Sequence, residues 1–98
     1  MDRTLIRQIS NYLAGQPVEK AWVFGSFARS EENSLSDIDI LVSFSPDAKL
    51  TLFKYFHMIS DLELLTGKSI DLVEEGQLKS FAEENAETEK ILIYERRA

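Results

Sequence analysis

Residues 25–40 read GSFARSEENSLSDIDI. A Gly25-Ser26 pair comes first, then ten residues, then Asp37-x-Asp39. Glycine lets a backbone turn sharply and approach an anion closely. A short helix over Phe27–Glu31, which the residues allow, would aim its first N–H groups at that anion. Ser26 adds a hydroxyl donor. Arg29, one turn further on, contacts phosphate or holds an acidic neighbour. On a strand, Asp37 and Asp39 point to one side, with Cα atoms roughly 6.6 Å apart. At an effective dielectric of about 20 the two carboxylates repel by about 2.5 kcal/mol. Ile38 and Ile40 offer no offset, whereas a divalent cation would. Hard oxygen donors suit Mg²⁺ or Mn²⁺, and Mg²⁺ combines carboxylates with substrate phosphates and water. The simplest explanation of the segment is a site for a metal-bound nucleotide.

The flanking sequence supplies a frame for it. Leu5, Ile6, Ile9, Tyr12 and Leu13 recur at helical spacing over residues 2–14, and Gly15 and Pro17 stop that helix. Residues 19–24 end in Ala21-Trp22-Val23-Phe24, an apolar run suited to a buried strand. Residues 37–43 predict a second strand, and Ser45-Pro46-Asp47 a turn. Leu52, Tyr55, Phe56, Ile59 and Leu62 predict a helix over 51–66 that Gly67 caps in the left-handed conformation. Ser69–Val73, SIDLV, predicts a third strand, and Gln77 to about Thr88 a weaker helix. Ile91–Tyr94 fits either a fourth strand or the last turn of that helix. The expected class is α/β, with one small mixed sheet of three to four strands and helices packed on it.

Function restricts the topology further. For one nucleotide to touch Gly25-Ser26 and Asp37, the end of the first strand must lie near the start of the second. Those strands are therefore expected to be antiparallel neighbours. If the third strand runs parallel to the second, Asp71 falls beside Asp39 at the same end of the sheet. The helix over 51–66 is long enough for that crossover, expected to be right-handed.

Composition narrows the classes. A chain of 98 residues allows one small domain, 1–98, and its 44% hydrophobic content suffices for a core without disulfides. There is no cysteine, which is compatible with a reducing cytosol. The start, MDRTLIRQIS, lacks the apolar run of a signal peptide, and no stretch approaches a membrane span. A cytoplasmic protein is expected. With 17 acids against 11 Lys and Arg, the net charge of −6 disfavours direct nucleic-acid binding.

The combined pattern of Gly25, Ser26, Asp37, Asp39 and a third acid, Asp71, on a later strand resembles the nucleotidyltransferase superfamily of the DNA polymerase beta type. GSFARSEENSLSDIDILV looks most like its minimal members, short chains paired as antitoxins with HEPN-domain toxins. The likeness runs from the first helix to Tyr94. Ser30 stands where that family usually has glycine. The resemblance implies a polymerase beta-type fold, ATP as substrate, and two Mg²⁺ ions, or Mn²⁺, held by Asp37, Asp39 and Asp71. It implies that these three acids are catalytic and that Gly25, Ser26 and Arg29 bind the nucleotide. Minimal members lack an acceptor domain, so the resemblance implies an acceptor brought by another protein, a tyrosine of a HEPN toxin. The product would be an AMP ester. A homodimer or a hetero-oligomer is compatible.

Other readings compete. The protein can instead be a contact-only antitoxin that blocks its partner without catalysis. A transferase acting on a small molecule would need a pocket built by a dimer. Within the helix over 51–66, His57 fits a structural or surface role better than a ligand role. Trp22, Phe53, Tyr55 and Phe56 fit the core, although the aromatic residues spread round more than one helical face and some could form a docking surface. Glu83, Glu84, Glu87 and Glu89 fit a solvated helix face, or a contact for a basic partner.

Overall fold

Local signals set the elements and burial decides how they pack. The computed structural model describes residues 3–24, 37–75 and 90–96. Its elements are α1 (Arg3–Leu13), β1 (Val18–Phe24), β2 (Ile38–Phe44), α2 (Leu52–Thr66), β3 (Ile70–Glu74) and β4 (Ile91–Glu95). The helices expected at 27–31 and 77–88 lie outside the described residues, as does the Glu83–Glu89 cluster.

The helix ends follow the chemistry of their caps. Thr51 Oγ1 accepts the Lys54 N–H at 3.1 Å at the start of α2, filling one of the donors a helix start leaves open. Gly67 closes α2 at φ 70°, its N–H donating to the Glu63 carbonyl at 2.9 Å. Only glycine reaches that left-handed geometry without steric cost.

The strands form one sheet in the order β3-β2-β1-β4. β1 and β2 are antiparallel, β2 and β3 parallel, and β4 pairs antiparallel with β1. The predicted neighbour relations of the first three strands are thus observed, and α2 supplies the connection that a parallel pair requires. Ile91–Glu95 forms a strand because its backbone pairs with the open edge of β1.

One sheet face carries the core. Ala21, Val23, Ile38, Ile40, Val42, Ile70 and Leu72 pack with Ile9 and Leu13 of α1 and Met58 and Leu62 of α2. Strand alternation sends Trp22, Asp39, Leu41 and Asp71 to the opposite face. The helices join through Tyr12, whose hydroxyl donates to Asp61 Oδ2 at 2.6 Å. His57 Nε2 lies 3.3 Å from the same oxygen and is largely exposed, in keeping with a surface role.

The expectation that the aromatic residues of α2 are core is corrected. Phe53 is 84% exposed and Phe56 58%, because the helix turns Met58 and Leu62 inward and these rings fall on the other side. Tyr55 is half-buried, as is Trp22, whose ring carries the Lys90 ammonium at 4.4 Å. No described helix is long and apolar enough to cross a membrane.

Candidate functional site

Two adjacent strands bring Asp39 and Asp71 together. Ile38 begins β2 with its N–H donating to the Ser69 carbonyl at 2.9 Å, which ties the start of β2 to the start of β3. Asp39 then lies directly opposite Asp71 on one side and Phe24 on the other. Adjacent strands are about 4.8 Å apart, so the Asp39 and Asp71 carboxylates leave neighbouring backbones on the same face. Asp39 is partly buried and Asp71 exposed. Asp37 is exposed and sits just before β2, two residues ahead of Asp39. Gly25, Ser26 and Arg29 lie outside the described residues; the chain enters that segment directly after Phe24, the register partner of Asp39.

Among the described residues no three metal-ligating side chains already surround one point. The donor set still fits a hard divalent ion, which takes one or two carboxylates and completes its shell with phosphate and water. Two adjacent carboxylates on one face are also an electrostatic cost that a cation relieves.

Sequence reasoning missed the far side of the site. A cavity of about 540 Å³ lies against β3, lined by Leu50, Thr51, Leu52, Tyr55, Leu72 and Val73 with Asp71 and Glu74 at its polar side. The Tyr55 hydroxyl donates to the Leu72 carbonyl across it. Burial raises the Tyr55 pKa above its usual value, and the negative charges of Asp71 and then Glu74 raise it further. Tyr55 and Leu72 are far apart in sequence, and only the packing of α2 on β3 joins them.

Known proteins resemble this chain in sequence and fold. Protein adenylyltransferase MntA of Thermococcus cleftensis is 41% identical over 63 residues, which cover 64% of this chain and 62% of that protein. The match thus spans less than two thirds of that relative's length. A solved structure named "putative minimal nucleotidyltransferase" is 31% identical, with a TM-score of 0.76 over 91% of this chain and 89% of that one. The structure of a tri-AMPylated Shewanella oneidensis HEPN toxin in complex with MNT antitoxin aligns at a TM-score of 0.72 and 16% identity, covering 98% of this chain and 74% of that one. At that identity the likeness shows the fold. The polymerase beta nucleotidyltransferase family matches residues 7–98, a span that includes the paired aspartates and all four strands, and the chain belongs to that family.

Proposed function

We propose that the protein is the AMP-transferring antitoxin of a two-protein pair, moving AMP from ATP to a tyrosine hydroxyl of a HEPN-type partner in the cytoplasm. The observation that carries this reading is the register of Asp39 against both Phe24 and Asp71. It puts the entry to the Gly25-Ser26 segment on one side of Asp39 and a third carboxylate on the other. The naming of the Thermococcus relative as a protein adenylyltransferase supports the reaction class. The AMPylated HEPN toxin seen with its antitoxin supports the partner.

In this reading Gly25, Ser26 and Arg29 bind the triphosphate. Asp37, Asp39 and Asp71 would hold Mg²⁺, which when bound neutralises charge on the attacking and leaving oxygens. The acceptor oxygen bonds to the α-phosphorus, the bond from that phosphorus to the bridging oxygen breaks, and pyrophosphate leaves. Asp71, exposed at the sheet margin, takes the hydroxyl proton. Catalysis rests mainly on positioning and charge.

The test incubates the protein and a candidate HEPN-type partner with α-labelled ATP and Mg²⁺. Label on the partner is expected, and it should vanish with Asp39→Asn. An unlabelled partner under conditions where ATP binds would sink the transfer reading. A second reading, neutralisation by contact alone, is favoured by the exposed aromatic residues of α2. In that case Asp39→Asn still neutralises the partner.

A further inference from the structure

The N-terminal half of α2 presents Leu52 at 71% exposure, Phe53 at 84% and Phe56 at 58%. These residues follow helical spacing and form one apolar strip. Leu52 also lines the cavity that contains Asp71, so strip and cavity are continuous. Exposed apolar strips at a cleft mark interaction sites.

We infer that this strip and cavity form the docking surface for the acceptor protein, which approaches from the β3 side with an apolar segment flanked by basic residues. The inference rests on the transfer reading above. Sheet order supports the side of approach: with β3-β2-β1, the Gly25-Ser26 segment follows the strand on one flank of Asp39, and Asp71 and the cavity lie on the other.

Charge selects the occupant. Asp71 and Glu74 line the cavity, and the chain carries a net charge of −6. A second copy packed on this face by two-fold symmetry would set two acidic cavities near each other, a like-charge contact that disfavours association. A basic-flanked segment meets the opposite sign.

Backbone chemistry selects the mode of docking. Ser69 and Glu75 bond to β2, so Ile70 and Leu72 turn their polar groups to the open edge of β3. There the Ile70 N–H donates to Glu63 Oε2 at 3.1 Å and the Leu72 carbonyl accepts from Tyr55. Both groups are already taken by α2, which blunts the edge against strand addition. Contact through the helix face, with side chains entering the cavity, is the mode left.

The experiment measures calorimetric affinity for the purified HEPN-type partner, AMP transfer to it, and ATP binding by the protein alone. Phe53→Asp is the perturbation, and Leu64→Asp, 83% exposed on the same helix but about 16 Å along it, is the control. Phe53→Ala serves as the milder variant should the aspartate lower folding. Phe53→Asp is expected to cost at least about tenfold in partner affinity, with a matching drop in transfer at limiting partner, unchanged ATP binding, and Leu64→Asp close to wild type. Wild-type affinity and transfer in Phe53→Asp would overturn the docking surface and leave the transfer reading intact. Equal losses in both variants would overturn it too, as would a dimeric chain that Phe53→Asp turns monomeric. If the wild type binds the partner without labelling it while Phe53→Asp loses binding, docking stands and the transfer reading fails. A wild type that binds no such partner overturns both.

Discussion

Replacing Asp71 by Asn tests whether the paired acids are held against their own repulsion. Asp39 and Asp71 are register partners on adjacent strands, about 5 Å apart by strand spacing. Two unit charges at that distance repel by about 3 kcal/mol at an effective dielectric of 20. Asp71 is exposed, so solvent and salt reduce this to about 0.5–1 kcal/mol. Asn keeps the size of the side chain and removes the charge. Without divalent ions, Asp71→Asn should therefore raise Tm by about 2–8 °C, since about 1 kcal/mol moves a domain of this size by 4–8 °C. Mg²⁺ titrated during thermal unfolding should raise Tm of the wild type more than that of the variant, because only the wild type has the full charge to relieve. The Tyr55 pKa should also fall in the variant, as Asp71 is one of its causes, and ultraviolet titration reads that directly. A Tm that drops in Asp71→Asn, with an unaltered response to Mg²⁺, would refute the repulsion argument.

Tyr12 has a pKa raised well above its usual value, by burial first and then by the hydrogen bond to Asp61 and its charge. A raised folded value stabilises the protein below the unfolded tyrosine pKa near 10, and this stability is lost as pH rises through the folded value. Stability measured by denaturant unfolding should fall above about pH 10, and Tyr12→Phe should flatten that slope. Gly67→Ala should cost about 1 kcal/mol in urea unfolding; an added Cβ meets nothing within 4 Å, so the whole cost lies in the φ of 70°. Leu62→Ala, at a fully buried core position, should cost about 2–5 kcal/mol, which circular dichroism melts will register as a large loss of Tm.

The sequence by itself located α1, α2 and the first three strands and singled out the three acids as candidates. Periodicity located α1 and α2, and Gly67 marked the end of α2, because these signals are local and depend on neighbours a few residues away. The antiparallel pairing was also legible, from the need to bring Gly25-Ser26 beside Asp37, and the parallel pairing was the condition for Asp71 to lie beside Asp39. The tertiary structure decided the rest. It made Ile91–Glu95 a strand, which depends on a free edge of β1 some seventy residues earlier in the chain. It turned Phe53 and Phe56 outward, because an aromatic helix looks alike from sequence on every face until Met58 and Leu62 choose the buried one. It also built the cavity beside Asp71 from Tyr55 and Leu72, joined by a hydrogen bond between separate elements. A strand pattern can announce a charged pair, but the cavity beside it exists only once a helix has packed against the sheet.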